Sequence, residues 1–469
     1  MKRLALISFG LLSILVAMPA IGFARNQVPF VNQPLLPASV APGGPNFTLT
    51  LNGTGFSSRS VVNWNGHPRP TTFVDSTQVS AAIAASDIAA PETASVTVVN
   101  PGPTGSVSNT VFFPIVSSSS TLAFSRWDGL TGFAPVSLTS DDFNGDGNLD
   151  LAFLGGQLPC LFVLLGNGDG TFQLVVPGYL GSSAGRFSIA AADLNGDGKR
   201  DLAVVDAQMV YILFGNGDGT FEISPAKGAG DSATSLALGD FKRGGKLDLA
   251  VANRRDGTVS VVPNSGPGKF THHEDYPTDA FPAALAVGDF NRDNILDLAV
   301  STEAGTVSVL LGKSNGRFQP AVNFPTNGPA NGVVAADFNG DGNLDLAVTN
   351  GTGNSPGSVS ILLGNGDGTF QSYFGYAVAL DPREIITADF NADGYLDLAV
   401  APYGNGGGQA IQVLLGNGDG TFQPPLNVAT QVGPVSLTTG DFNGDGRLDL
   451  AVATITNGGL TILLQVPVN

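Results

Sequence analysis

The stretch DFNGDGNLDLA at Asp142–Ala152 decides the fold, because the chain repeats it along most of its length. The same letters return at Asp337–Ala347, and an altered version, DFKRGGKLD, begins at Asp240. Successive copies start 47 to 52 residues apart. Such a period indicates a repeat architecture in which each copy is one supersecondary unit. The copies begin at Asp142, Asp193, Asp240, Asp289, Asp337, Asp389 and Asp441.

Each copy belongs to a unit of four short strand-like runs. An alternating run such as PVSLTTGDF leads into the acidic loop, and LDLAVA follows the loop. After a variable Gly/Asn-rich loop comes an apolar run such as IQVLLG, and the glycine-rich turn NGDGTFQ then leads to a last strand. Four strands per unit at a period of about 40–50 residues are typical of a β-propeller. The repeats predict an all-β fold with a seven-bladed β-propeller over residues 121–469.

The two ends of this region complement each other. The last unit stops at LTILLQVPVN and lacks the NGDGTFQ segment with its outer strand, whereas TLAFSRW precedes the first acidic loop. We therefore expect residues 121–126 to supply the outer strand of the last blade. This pairing closes the ring and removes an exposed sheet edge.

The acidic loops carry the ligand pattern of a hard-cation site. Oxygen donors recur at loop positions 1, 3, 5 and 9, and the residue at position 7 can offer its main-chain carbonyl, as in the first nine positions of an EF-hand loop. These donors suit calcium better than magnesium or zinc. The predicted ligands in six loops are Asp142, Asn144, Asp146, Asn148 and Asp150; Asp193, Asn195, Asp197, Lys199 and Asp201; Asp289, Asn291, Asp293, Ile295 and Asp297; Asp337, Asn339, Asp341, Asn343 and Asp345; Asp389, Asn391, Asp393, Tyr395 and Asp397; and Asp441, Asn443, Asp445, Arg447 and Asp449.

A metal-free Asx/Gly turn is the alternative interpretation of these loops. The aspartate at position 9 favours calcium, because a turn alone gives it no use. In the fourth loop Asn294 replaces a glycine, which asparagine can do because it tolerates the left-handed region. The third loop has Lys242 and Gly244 at positions 3 and 5, so we expect about six calcium ions and none in the third loop.

Composition excludes several classes of function. The net charge of −18 argues against nucleic acid and anionic membranes as partners. The single cysteine, Cys160, cannot form an internal disulfide, so bound calcium takes that stabilising role in this interpretation. We expect a monomer that does not span a membrane.

The first residues have the features of an export signal. Lys2 and Arg3 precede a short apolar run, and Gly22 and Ala24 mark a cleavage site, so residues 1–24 are predicted to be a signal peptide. The protein is then secreted, periplasmic or associated with the cell surface.

Residues 27–115 show about seven short alternating runs, which predict a small immunoglobulin-like sandwich. A serine-rich linker, residues 116–120, connects it to the repeats.

Two families resemble these segments. The DFNGDGxxDLAV…LLGNGDGTF unit resembles the FG-GAP/VCBS repeat, which also occurs in integrin α propellers, and GGPNFTLTLNGTGF with VVNWNG resembles the IPT/TIG domain. The first resemblance implies calcium in the acidic loops and a role in adhesion or recognition. The third repeat departs from the pattern, so that metal role does not extend to Asp240 or Asp248.

Ligand-contacting residues are expected in the loops that vary between repeats, such as residues 253–257, 350–358 and 402–408, because recognition usually resides in varied loops on a rigid frame. The third repeat is irregular, and its additions can equally be the solvated loops of a diverged unit. Trp127 and Tyr376 could add aromatic platforms. The candidate ligand-binding residues are Arg254, Arg255, His272, His273 and Tyr403.

Two hypotheses for function follow. The first is a noncatalytic recognition or adhesion protein for an extracellular protein or glycan. The alternative is a secreted carbohydrate-active enzyme, such as a polysaccharide lyase, with its site on the varied loops. An enzyme needs a convergent acid/base set, and outside the third repeat the sequence shows neither a G-x-S-x-G motif nor a zinc motif. The sequence therefore favours binding.

Overall fold

The computed structural model describes residues 28–32, 35–101, 106–119, 121–130, 134–155, 160–175, 188–207, 209–224, 227–228, 230–270, 272–353, 356–455 and 459–467. The predicted signal peptide lies outside these residues. Within them the only helices are two short 3₁₀ turns, Ala85–Ile88 and Gly404–Gly406, and no helix is long and apolar enough to cross a membrane. The prediction of an all-β fold is confirmed.

The N-terminal region is a sandwich of two sheets. Their strand orders are β1-β2-β6-β5 and β4-β3-β7-β8, with β9 also paired to β7. Phe47 of β2 stacks on Phe113 of β9 at 5.6 Å between ring centroids, and Trp64 of β3 lies 5.3 Å from Phe113, so aromatic rings from both sheets fill the core. The strands are β1 (Phe30–Val31), β2 (Phe47–Thr54), β3 (Val61–Trp64), β4 (His67–Pro68), β5 (Thr71–Phe73), β6 (Gln78–Ile83), β7 (Glu92–Asn100), β8 (Ser106–Val107) and β9 (Val111–Ile115).

Between Phe124 and Gln465 the described residues form seven further sheets, each an antiparallel meander apart from one shared between the two ends of the region. In chain order the strands are β10 (Phe124–Leu130); β11 (Pro135–Asp141), β12 (Asp150–Gly155), β13 (Leu161–Gly166), β14 (Phe172–Val175); β15 (Ser188–Ala192), β16 (Asp201–Val205), β17 (Met209–Gly215), β18 (Phe221–Ile223), β19 (Lys227–Gly228); β20 (Ala233–Gly239), β21 (Asp248–Asn253), β22 (Thr258–Val262), β23 (Glu274–Pro277); β24 (Pro282–Gly288), β25 (Asp297–Thr302), β26 (Thr306–Leu310), β27 (Val322–Pro325); β28 (Ala330–Ala336), β29 (Asp345–Asn350), β30 (Gly357–Leu362), β31 (Phe374–Val378); β32 (Pro382–Ala388), β33 (Asp397–Pro402), β34 (Ala410–Leu414), β35 (Leu426–Ala429); and β36 (Pro434–Gly440), β37 (Asp449–Thr454), β38 (Gly459–Gln465).

These sheets are arranged radially around an axis. The first strand of each sheet contacts the first strand of the next, through β11, β15, β20, β24, β28, β32 and β36, and β36 contacts β11 in turn. A closed cycle of inner strands is the arrangement of a β-propeller. The second strands are buried along their whole length, as in β33, because each sheet is covered on both faces by its neighbours.

The ring is closed by pairing between its two ends. Strand β10 is the outermost strand of the sheet β10-β38-β37-β36, and Phe124 pairs with Gln465 while Leu130 pairs with Gly459. The structure confirms that the segment before the first acidic loop completes the last sheet, although the strand begins at Phe124 and extends four residues beyond Arg126.

Neighbouring sheets interlock through paired phenylalanines in most repeats, and the second repeat has Leu194 in place of one of them. Phe143, which follows the first aspartate of its loop, is fully buried and meets Phe221 of the next sheet edge-on at 5.7 Å. Phe442 of the last sheet meets Phe172 of the first in the same way at 5.8 Å. The apolar residue inside each acidic loop therefore anchors that loop to the adjacent sheet.

Candidate functional site

The repeated loops all lie at one end of the ring. Each aspartate loop joins the first and second strands of a sheet, and each NGDGT turn joins the third and fourth, so both emerge at the same end of an antiparallel meander. We call this end the aspartate-loop face. The other end, the variable-loop face, carries the connections between second and third strands, such as 254–257 and 403–409.

Main-chain amides hold the first aspartate of each loop inside the turn. The Asp142 carboxylate accepts hydrogen bonds from the N–H groups of Gly145 and Gly147, at 2.7 and 2.9 Å. These two glycines adopt φ of 76° and 89°, a region that other residues enter at a cost. Asn294, which replaces glycine in the fourth loop, has φ of 62°, as the sequence predicts. The same pair of amide bonds recurs at Asp193, Asp337 and Asp441.

The aspartate at position 9 has a structural role that sequence reasoning missed. Asp150 is fully buried, and its two carboxylate oxygens accept hydrogen bonds from Phe143 N–H and Gly166 N–H, both at 2.8 Å. In the third loop Asp248 does the same for Lys242 and Asn264. The argument that a turn has no use for this acid is therefore wrong, because the acid joins the loop to the end of the third strand. Equivalent pairs of bonds are made by Asp201, Asp297, Asp345, Asp397 and Asp449.

Burial makes these carboxylates hard to ionise in the absence of a cation. It raises the pKa of Asp150 to about 7, although the two amide donors oppose the shift, and the nearby charges of Asp142 and Asp146 raise the pKa further. Asp449 reaches a pKa of about 8 for the same reasons. The pKa of Asp397 also lies well above its usual value, with burial as the largest cause. A positive ion between such groups would favour their charged form.

The donor set of the loops fits a hard divalent cation, although the structure shows no assembled metal centre. Within the described residues, no three Asp, Glu, His or Cys side chains are grouped closely enough to hold a metal ion. The predicted sets also draw on an asparagine amide and a main-chain carbonyl, and each loop is already curled by its own hydrogen bonds. The main-chain N–H of every position-7 residue donates to the position-5 aspartate at 2.8 to 2.9 Å; these residues are Asn148, Lys199, Ile295, Asn343, Tyr395 and Arg447.

The N-terminal sandwich covers the aspartate-loop face, which the sequence did not indicate. The Ser39 hydroxyl donates to the carboxylate of Asp389 at 2.5 Å in a buried contact. The N–H of Ser119, within the predicted linker, donates to the carbonyl of Asn391 at 2.8 Å. Two residues of the sixth aspartate loop thus bind the N-terminal part of the chain directly.

A buried arginine strengthens this contact between the domains. Arg200 of the second loop lies 3.2 Å from the carboxylate of Asp141, and it donates to the Ser108 carbonyl at 2.8 Å and to the Thr110 hydroxyl at 3.2 Å. Burial raises the pKa of Asp141, and the Arg200 charge opposes that shift. The arginine therefore joins two neighbouring sheets of the ring to the sandwich above them.

The structure separates the candidate residues of the third repeat. Arg254 and Arg255 follow β21 at the variable-loop face, whereas His272 and His273 precede β23, whose first residue pairs with Val261 near the opposite end of the sheet. The arginines and the histidines therefore lie towards opposite ends of their sheet, because its third strand, β22, runs between the two pairs along the chain.

Their surroundings differ as well. Arg254 forms an ion pair with Glu303 at 2.6 Å and lies over the Phe281 ring, so its charge is already matched. The side chain of Arg255 is 71% exposed, with Asp231 at 3.6 Å. His273 lies 3.5 Å from Asp275.

The aromatic candidates also separate. The Tyr376 hydroxyl accepts the Phe422 N–H at 3.0 Å, and its ring meets the Phe422 ring, so Tyr376 packs between two sheets and offers no platform. Trp127 is half-exposed on the outermost strand β10. Tyr403 lines a cavity, where the Arg383 guanidinium lies 5.0 Å from the centre of its ring.

That cavity occupies the ring axis at the variable-loop face and has a volume of about 550 Å³. It is lined by the early residues of the inner strands, most of them serine, threonine or small apolar side chains. Arg383 and Glu384 are exceptions. Sequence reasoning missed Glu384, and aligning the repeats would have found it, because the other repeats have Ser, Ala or Gly at that position.

Solved structures of several proteins resemble this chain. A lectin of Agrocybe aegerita, described as recognising non-reducing terminal N-acetylglucosamine, is 19% identical, with a TM-score of 0.46, and covers 78% of this chain and 95% of its own. An auxiliary nutrient-binding protein of Bacteroides ovatus is 13% identical, with a TM-score of 0.43 and coverages of 94% and 99%. A candidate phosphatase of Bacteroides thetaiotaomicron is 12% identical, with a TM-score of 0.38 and coverages of 94% and 98%.

No curated protein matches the chain. The family model of the FG-GAP-like repeat, however, matches residues 142–204, 193–251, 240–300, 289–348 and 389–452, which together are more than half of the sequence. The model of the IPT/TIG domain matches residues 33–115. The chain therefore belongs to the FG-GAP-like repeat family and carries an IPT/TIG domain ahead of its repeats.

Proposed function

We propose that this protein is an exported, calcium-binding recognition module that binds an extracellular protein or glycan through its variable-loop face and catalyses no reaction. The observation that carries the proposal is the coverage of the aspartate-loop face by the protein's own N-terminal domain, through contacts such as Ser39 with Asp389. One face of the ring is thereby left for a partner, and that face carries the varied loops and the axial cavity.

Calcium has a structural role in this proposal. In the six intact loops, the carboxylates at positions 1, 5 and 9 would hold the ion together with the asparagine and the main-chain carbonyl. The ion would neutralise carboxylates that burial and mutual repulsion now disfavour, as at Asp150. The third loop has lost two of these donors, and its Asp240 is held by the amides of Gly244 and Gly245.

Binding without catalysis is supported by the arrangement of the third repeat. The carbohydrate-active enzyme alternative needs His272 and His273 to act together with the arginines or with the varied loops. The two histidines lie on the aspartate-loop side of their sheet, and Arg254 is engaged by Glu303. No substrate bound among the varied loops would have this histidine pair beside it.

The proposal is tested with arrays of glycans and of extracellular proteins, probed by the full chain with and without calcium. Two variants remove one exposed positive charge each from the third repeat: Arg255→Ala on the variable-loop face, and Lys269→Ala in the turn on the opposite face. We expect calcium-dependent binding to a restricted set of targets, weakened by the first variant and retained by the second. Equal loss in both variants, or no target in the presence of calcium, contradicts the proposal.

A further inference from the structure

The axial cavity is lined by one acidic side chain, Glu384, and by one basic side chain, Arg383. Glu384 lies five residues before the first aspartate of its loop, at a point where the inner strand borders the cavity. The other repeats place no charged residue there. The equivalent residues are Ser137, Ser188, Ser235, Ala284, Gly332 and Ser436.

Glu384 has no cationic partner within the described part of the chain. One carboxylate oxygen accepts the N–H of Leu437 at 3.0 Å, and the carboxyl is also hydrogen-bonded to Ser436. Burial raises its pKa to about 7. The nearest positive charge in sequence, Arg383, is bound instead to Asp381 at 2.7 Å. The carboxyl thus lacks the opposite charge that would offset its desolvation.

Two more lining residues have already used their donors. The Asn331 amide donates to the carbonyls of Gly351 and Pro382 at 2.7 and 2.9 Å, so only its oxygen is left for a ligand. The Thr234 hydroxyl donates to the Pro282 carbonyl at 3.1 Å, which leaves its lone pairs. Both side chains are more than nine-tenths buried. Glu384, Asn331 and Thr234 all line the cavity, so its wall offers acceptors from three different sheets to a ligand rich in donors.

We propose that the cavity binds a primary ammonium group of a small molecule or of a terminal residue on the target through the Glu384 carboxylate, and that Asn331 and Thr234 accept hydrogen bonds from other donors of the same ligand. An ammonium group supplies three donors and the missing positive charge. A volume of about 550 Å³ accommodates a ligand of monosaccharide size. The inference rests on the proposed recognition function, since it specifies what the open face recognises.

The test uses the full chain and isothermal titration with D-glucosamine, N-acetyl-D-glucosamine and ethanolamine. The two sugars differ by the charge on one nitrogen, and ethanolamine is a smaller amine. Glu384→Gln removes the carboxylate and keeps the shape, while Glu222→Gln removes the same charge from an exposed outer strand. Circular dichroism and thermal melting establish that both variants are folded.

We expect the wild type to bind glucosamine at least tenfold more tightly than its N-acetyl derivative. Glu384→Gln should lose at least tenfold in amine affinity, and Glu222→Gln should match the wild type. Failure of both amines to bind, equal binding of the two sugars, or unchanged amine affinity in Glu384→Gln overturns the inference. If Glu384→Gln keeps its amine affinity but the full chain still binds targets on the glycan and protein arrays, only the assignment of the cavity is wrong. If the chain binds no target on the arrays, the proposed recognition function itself is wrong.

Discussion

The aspartate at position 9 of each loop acts in two ways at the scale of single residues. Its carboxylate accepts hydrogen bonds from two buried main-chain N–H groups, as at Asp150 and Asp248. In the intact loops it would also bind the calcium ion. The first action needs no metal, so the residue is present even in the loop that has lost other ligands. Its two contributions can be separated by comparing these two loops.

Asp150→Ala and Asp248→Ala should destabilise the metal-free protein to a similar extent. Each leaves two buried amides without an acceptor, at a cost of about 1–3 kcal/mol per amide. In saturating calcium only Asp150→Ala should show a further loss, because only its loop keeps the remaining ligands. Urea denaturation in chelator and in calcium measures both effects. A calcium effect of equal size in the two variants would mean that the third loop also binds the ion.

Arg200 is the second residue whose removal should be costly. Arg200→Ala leaves Asp141 buried without its guanidinium partner, and breaking such a pair costs about 3–5 kcal/mol. The control is Arg254→Ala, whose half-exposed ion pair is worth about 0–1 kcal/mol. Free energies of unfolding from urea denaturation compare them. Adding Asp141→Asn to Arg200→Ala should restore part of the loss, and similar losses for the two arginines would refute this assignment.

At the scale of the element, each intact loop is a hydrogen-bonded turn whose clustered carboxylates lack a compensating positive charge. Its first and ninth positions are fixed by amides, and the pKa of its position-9 carboxylate, such as that of Asp150, is raised by burial and then by the neighbouring carboxylates. The same element is therefore expected to respond to both protons and calcium, which compete for the same oxygens.

The metal-free protein should lose stability as pH rises. The folded-state pKa values of Asp150 and Asp201 are about 7, above the usual value near 4, so the folded protein holds protons that the unfolded chain releases. This stabilisation is complete below about pH 4 and disappears as pH rises through 7. Bound calcium should offset this loss of stability, because a free calcium concentration of a hundred times Kd adds about 2.7 kcal/mol to the free energy of unfolding for each independent site.

The protein is stripped of metal with a chelator, and the chelator is then removed. Calorimetric melts of this protein at pH 5.5 and pH 8, with and without added calcium, check the expectation. The Tm without calcium should be lower at pH 8, and calcium should raise the Tm most at that pH. Melts at pH 8 that coincide with and without the ion would count against calcium in these loops.

How much of these elements could be predicted depended on how far apart the contacting residues lie in the chain. The period of the repeats predicted the sheets, and the strand missing from the last repeat predicted the closure, because repeats can be compared with one another position by position. The contact of Ser39 with Asp389 joins residues 350 positions apart, and no local pattern encodes it. The separation of Arg254 from the histidines follows from strand register, which was not resolved around the irregular third repeat.

At the scale of the whole molecule, closure of the ring should dominate stability. Proline at Arg126 and Trp127 of β10 removes at least one hydrogen bond to β38, because adjacent residues of a strand point their N–H groups to opposite sides. The matched control places proline at Asn323 and Phe324 of β27, the outer strand of another sheet. The first pair should lower the Tm more and increase aggregation, as measured by calorimetry and size-exclusion chromatography. Equal effects would indicate that β10 is merely one outer strand among others.

The shared sheet also bears on how the protein is made. Phe124 emerges from the ribosome more than three hundred residues before its partner Gln465. Unlike a chain in which each domain matures as it appears, this one cannot complete its ring until β38 has been synthesised. The growing polypeptide therefore carries an unpaired strand until then, and a chain truncated before β38 would expose two unsatisfied edges, those of β10 and β37, and become a target for quality control.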